Sequence, residues 1–259
     1  MNEFTFSIFQ KLLTLFQINF YNIDSFYNYL QKLDNNYDNN KLILRHDVDR
    51  FPKQTLQMAR MEAEMRISST YYFRIVPTVF KDYVLKEVSD LGHEIGYHYE
   101  DLTLCKGNYK KAIDSFERNL DKVRKYYPVK TICMHGSPAS PWDNKKIWER
   151  YHYKEYGIVA DTSFDIDYNE VFYITDNGFG WNKTSTSVRD KVETKFNIPI
   201  KSTAHLIELI KENKLPSKIM LNAHPDTFFD PGIKWLLNYS IIKAKNIVKW
   251  FIVKTGIYK

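Results

Sequence analysis

Four short apolar runs, 41–46, 93–98, 131–135 and 218–224, each lead into carboxylate or imidazole side chains, and this recurrence constrains the fold more than any other feature of the chain. Runs this short and this apolar read as buried strands. In barrels and open sheets of parallel strands, functional side chains gather where the strands end. Four such endings point to a parallel sheet whose carboxyl edge carries a site. The stretches between them, 52–66, 79–91, 107–126 and 203–213, read as helices and supply the crossovers that parallel strands need.

The first run, in KLILRHDVDR at 41–50, ends in two carboxylates one residue apart. Side chains alternate along a strand, so Asp47 and Asp49 project from the same side. Like charges that close repel, and either a metal ion neutralises them or one stays protonated. The metal site is the reading adopted. His98 in GHEIGYHYED, His135 in ICMHGSPASPWD and His224 in IMLNAHPD stand at the other three endings. His93 lies five residues before His98 and so faces the opposite way; it reads as structural, as do His152 and His205. The glycine and prolines after His135 make a rigid loop, which places His135 and Trp142 along a substrate groove, with a loop histidine bound to its own backbone as the alternative. Asp161, closing GIVADTSFD, either orients a catalytic partner or caps a helix. Asp176 and Trp181, in FYITDNGFGWN, are expected to line the same groove.

At these residues the chain resembles the polysaccharide deacetylases of the NodB-homology type, carbohydrate esterase family 4. The resemblance rests on HDVD, GHEIGYH about fifty residues later and LNAHPD near the end, and covers roughly residues 40 to 230. More narrowly, RHDVD, GHEIGYHYE, MHGSPASPWDN and FYITDNGFGWN are similar to the branch encoded in O-antigen and capsule gene clusters. The resemblance implies an α/β fold, a distorted barrel of the (β/α)7 type, with a divalent metal (usually zinc, sometimes cobalt or nickel). It also implies hydrolysis of an N-acetyl group from an amino sugar. Asp47 then matches the catalytic base, Asp49 and His98 match metal ligands, and His224 matches the general acid. The family's second ligand histidine falls four residues after His98, where this chain has Leu102. Glu100 is the expected substitute, ahead of Asp101. A non-catalytic carbohydrate-binding relative is the second reading, prompted by Leu102. A glycosyltransferase holding a nucleotide sugar through Asp47-Val48-Asp49 is the third, disfavoured because only 46 residues precede the first aspartate.

The chemistry supports the first reading independently. Hydrolysing an unactivated amide near neutral pH calls for a better nucleophile than water, and zinc with an open position lowers the pKa of bound water to about 7. Asp47 is placed to take a proton, and the His224 imidazole to return one to the departing amine.

A chain of 259 residues, 44% of them hydrophobic, can bury one sizeable core, and a single barrel domain over 37–230 is expected. Residues 1–36, with Phe4, Ile8, Phe9, Leu12, Leu13 and Phe16 at helical spacing, read as a helical extension packed on that barrel. Residues 231–259 hold six lysines and no acid, while the rest of the chain balances 31 basic against 31 acidic side chains. The net charge of +6 therefore marks a terminal amphipathic helix and gives no basic face for nucleic acid. That helix is expected to cover the barrel, with peripheral membrane contact as its second function. The opening segment lacks the pattern of a signal peptide, and two cysteines define no disulfide framework. The expected compartment is the cytoplasm, where a deacetylase would meet nucleotide-linked or lipid-linked sugars.

Overall fold

The computed structural model describes residues 3–32, 40–182, 189, 192–230 and 232–255. Its sheet is built outward from β2, Lys41–Val48, buried at seven of its eight residues, as befits a parallel strand covered on both faces. One edge of β2 pairs with β8, Lys218–Asn222. Along the other edge, its first half pairs with β1, Asn22–Asp24, and its second half with β3, Thr70–Phe73. Beyond β3 follow β4 (Glu94–Tyr99), β5 (Thr131–Met134) and β6 (Ala160–Asp161); beyond β8 lies β7, Phe172–Thr175. Every pairing is parallel. The order β6-β5-β4-β3-β2-β8-β7, with helices flanking it, is a seven-stranded parallel half-barrel, a distorted (β/α)7 arrangement.

Among the described residues, eight α-helices fill the connections and ends: α1 (Phe6–Ile18), α2 (Phe26–Gln31), α3 (Pro52–Glu64), α4 (Asp82–Asp90), α5 (Asp101–Leu104), α6 (Tyr109–Arg124), α7 (Thr203–Lys211) and α8 (Ile233–Thr255). Side chains of Thr5, Ser25, Asn108 and Ser202 accept hydrogen bonds from first-turn amides of α1, α2, α6 and α7. Helix α3 starts differently. Phe51 is left-handed (φ 53°) and Pro52 opens the helix, so the chain reverses sharply just after Asp49. That turn keeps Asp49 at the strand end.

Phe9, Leu12, Leu13 and Phe16 of α1 are fully buried against Leu42, Leu44, Ile219 and Leu221. The segment before residue 37 also supplies β1, a strand of three residues that is too short to be read from an apolar pattern. A second cluster fills the other flank, where α4 and α6 pack on Tyr71, Ile95, Tyr97 and Ile132. Gly96, in the middle of β4, makes room for a neighbouring ring, since a Cβ there would lie 2.3 Å from the side chain of Tyr72. Gly96→Ala is therefore expected to destabilise the fold by about 1–3 kcal/mol, because neither the strand nor the buried ring can yield. A thermal melt of the variant, showing a drop of several degrees, checks it.

Helix α8 packs through Trp235, Tyr239 and Ile242 on the first cluster. Leu237, Ile241, Val248 and Phe251, on its other side, are each more than half exposed. Among the described residues, no helix is long and apolar enough to cross a membrane.

Candidate metal centre and catalytic cleft

Parallel strands bring their carboxyl ends to one rim, and the polar residues gather there. From the end of β2 come Asp47 and Asp49, from β4 His98 and Glu100, and just after β5 comes His135. Arg74 follows β3, Asp176 follows β7, and Asn222 and His224 stand at the end of β8. A cleft of about 280 Å³ opens over this rim, lined by Asp49, His135, Asp176 and His224 among others.

Asp49 Oδ1 lies 3.6 Å from His98 Nε2 and 3.5 Å from His135 Nε2. This oxygen is buried and has no hydrogen-bond partner among the described residues. Both rings are turned to it by what holds their other nitrogen. His98 Nδ1 donates to the Cys133 carbonyl at 3.0 Å. His135 Nδ1 donates to Glu100 Oε2 at 3.1 Å, with Ser137 Oγ 3.0 Å away. With the hydrogen committed to Nδ1, each Nε2 offers a lone pair toward the unpartnered carboxylate oxygen. Three donors, all within 4.8 Å of one another, with carbonyl and carboxylate support behind the imidazoles, suit a divalent cation. The donor spacing also fits, since ligands about 2.0–2.2 Å from a tetrahedral ion lie roughly 3.3–3.6 Å apart. Burial drives His98 down to about 4, against the pull of Asp47 and Asp49, so its ring is neutral, as a ligand must be. Asp49 is lowered well below the usual carboxylate range, with His135 and His98 overcoming its burial.

Asp47 is held differently. Its Oδ2 takes a hydrogen bond from Asn222 Nδ2 (2.9 Å) and an ion pair from the buried guanidinium of Arg45 (3.2 Å); its Oδ1 has no hydrogen-bond partner among the described residues. Burial would raise its pKa, but Arg45, with His98 and His224 behind it, holds it below normal and keeps it ionised. His224 Nε2 lies 3.9 Å from Asp47, and its Nδ1 donates to Asp176 at 2.5 Å. Burial opposes charge on this ring; the Asp176 carboxylate, helped by Asp47 and Asp49, outweighs it and lifts His224 to about 10.

Several positions differ from the sequence expectation. Glu100, expected on the ion, is gripped by the fork of Arg74 through Nε (2.9 Å) and a terminal nitrogen (2.8 Å), and its second oxygen also takes His135. Burial notwithstanding, His135 and Arg74 hold it at about 2. It supports His135, which itself joins Asp49 and His98 where the sequence points to a groove wall. Leu102, where the sequence resemblance called for a second histidine, lies on α5 with its side chain buried in the second cluster. Cys133 also lies near Asp47 and His98, but Arg45 donates to its sulfur and burial pushes its thiol well above normal, so Asp49, His98 and His135 are the better-fitting set.

Trp181 does not line the groove: it is buried, its indole donates to Thr203 and its ring meets Phe4. Trp142 is part-exposed but lies over Gly107, away from the cleft. Asp161 is fully buried, accepting from Tyr99 and from the Ser163 amide, and burial lifts it to about 6. Asp176 reaches the cleft and grips His224 through both the ring and the backbone amide. Three residues of the rim, Arg45, Arg74 and Asn222, are not among those expected from the sequence. Arg45 and Asn222 each stand two positions before a site residue, Asp47 and His224, and that period-two spacing is the signal that could have found them.

No family model matches this chain, and no curated protein does. Among solved structures, a CE4 esterase from Streptococcus mutans is similar at 14% identity and a TM-score of 0.46, covering 86% of each chain. A family 4 carbohydrate esterase from Bacillus anthracis aligns at 13% identity and 0.40, over 92% of this chain and 86% of that one. PdaA from Bacillus subtilis, also a family 4 carbohydrate esterase, aligns at 15% identity and 0.40, over 91% and 84%. At such scores the functional reading stands on the site itself.

Proposed function

We propose that this protein is a metal-dependent hydrolase that removes an N-acetyl group from an amino sugar of a surface polysaccharide or its precursor. The observation that carries the proposal is the pair of imidazole Nε2 atoms aimed at one oxygen of Asp49 that has no partner among the described residues, flanked by the Asp47 carboxylate beside Arg45 and by His224 bound to Asp176. Asp49, His98 and His135 would hold the ion, zinc by preference for this donor set. A bound divalent ion supplies Lewis acidity, which polarises the acetamide carbonyl and lets water attack near neutral pH. Asp47, kept charged by Arg45, accepts the proton released by the attacking water. His224, kept charged by Asp176, passes its proton to the departing amine nitrogen. Glu100, clamped by Arg74, keeps the His135 hydrogen on Nδ1. Leu102 favours a non-catalytic relative only if no other imidazole completes the set, and His135 lies in place to do so.

The test is elemental analysis of protein purified without chelators, alongside acetate release from N-acetylated amino-sugar oligomers. About one zinc per chain, with release that stops on chelation and returns with zinc, is the expected result. Metal-free protein that still releases acetate would sink the mechanism. A second expectation concerns pH. Asp176→Asn removes the main attraction that lifts His224, so the pKa of that ring falls toward its ordinary 6.5. The alkaline limb of the kcat profile should move to lower pH by more than one unit. An unmoved limb would take the acid role from His224. The O-antigen or capsule setting, the cytoplasm and contact of α8 with a membrane surface belong to the same proposal.

A further inference from the structure

Helix α8 contributes more to the cleft than a cover. Ile242, Lys245, Asn246 and Lys249, on successive turns of one face, all line it. The helix is held there at identifiable points. Asn246 Nδ2 donates to the Gly178 carbonyl at 2.9 Å, and Asn238 Nδ2 to the Asp226 carbonyl at 2.7 Å. Gly178 has φ +65°, and a Cβ on it would meet the Asn246 side chain at 2.7 Å, so the contact has been shaped around a glycine.

Among the described residues, the cleft's other lysine or arginine cations are neutralised: Arg50 pairs with Asp226 at 2.6 Å and Arg74 with Glu100 at 2.7 Å. Among the described residues, neither Lys245 nor Lys249 makes an ion pair, although both face the same cleft. An N-acetylated sugar is neutral and offers two ammonium groups no opposite charge. A phosphate does, and lysine meets it as a flexible point charge.

We propose that Lys245 and Lys249 form a subsite for a phosphate group joined to the sugar, so that the substrate is a sugar phosphate or diphosphate and not a finished neutral polymer. The inference deepens the deacetylase reading and rests on it for the sugar, though not for the anion. The phosphate could belong to a nucleoside diphosphate or to a lipid diphosphate, and the exposed Leu237, Ile241, Val248 and Phe251 lie on the same helix that presents the lysines.

The first experiment needs no turnover. Inorganic diphosphate is titrated calorimetrically into the zinc-loaded full chain and into the Lys245→Gln/Lys249→Gln variant, with melting curves of both to establish folding. We expect the dissociation constant to rise about tenfold or more in the variant, since each charge-assisted contact to an anion is a strong one. Unchanged binding would place diphosphate on the ion alone and overturn the subsite.

The second experiment compares three derivatives of N-acetylglucosamine: the methyl glycoside, the uridine diphosphate form and a polyprenyl diphosphate form in phosphatidylcholine vesicles. The ratio of kcat/KM for a phosphorylated over the neutral form should fall about tenfold in the variant. Whichever phosphorylated form shows that fall identifies the source of the phosphate, and a ratio that does not change for either overturns the proposal. If none of the three is deacetylated while diphosphate binding still depends on the lysines, the deacetylase reading fails and the anion site stands.

Discussion

Asp47→Asn is expected to keep the metal and lose turnover by a factor of about 10²–10⁴, the usual contribution of a positioned general base. Asp49→Ala is expected to lose the metal. The two aspartates are neighbours in sequence and differ in what surrounds them. Asp49 presents an unpartnered oxygen to two imidazole lone pairs, so its carboxylate supplies binding energy. Asp47 has one oxygen fixed by Asn222 and Arg45 and the other, among the described residues, without a hydrogen-bond partner, the arrangement of a group that moves a proton. Asparagine keeps the shape of Asp47 but leaves the Arg45 guanidinium buried with less compensation. A broken buried pair costs about 3–5 kcal/mol, so a melt must accompany the assay. Elemental analysis and acetate release on folded variants separate the roles. Equal loss of metal from both would remove the assignment of Asp47 as base.

The second large effect distinguishes His135 from Glu100. His135→Ala should empty the site, because two ligands remain where structural and catalytic zinc centres use at least three from protein. Glu100→Gln should retain the ion with affinity weakened about 10–100-fold, as when a residue behind a ligand histidine is changed. The amide still reaches Arg74's neighbourhood but no longer holds the His135 hydrogen by charge. Metal titration against a competing chelator ranks the two. A Glu100→Gln protein that binds no metal, beside a His135→Ala protein that does, would return the ligand role to Glu100.

The strand ends could be read because apolar runs bounded by charge have few other interpretations, and helices 52–66 and 107–126 differ from α3 and α6 by only a few residues at their ends. Asp49 and His98 carry their own local signal. His135 is harder. The Gly-Ser-Pro loop after it dominates the local pattern, while the fact that matters is lateral: β5 lies beside β4 with Cys133 in register with His98. Neighbourhood across a sheet is not written in spacing along the chain. Glu100 is the nearest carboxylate to His98 in sequence, and only the folded position of Arg74, from the adjacent β3, shows where its charge is taken up. Trp181 reads as exposed because it follows a glycine turn, but Phe4 and Thr203, far away in sequence, close over it. Arg45 gives little warning, since a guanidinium inside a barrel is unfavourable until Asp47, Thr162 and Tyr173 surround it.

Because the three proposed ligands come from the ends of β2, β4 and β5, the centre exists only where these strands are assembled side by side. The unfolded polypeptide offers scattered histidines and carboxylates with no common geometry, so an ion would bind the native state almost alone. Occupancy and folding are then one coupled equilibrium. At a free metal concentration about 100 times the dissociation constant, native stability gains about 2.7 kcal/mol. The ion would be a stabiliser as well as a reagent, and metal starvation would expose the chain to proteolysis as well as silence it.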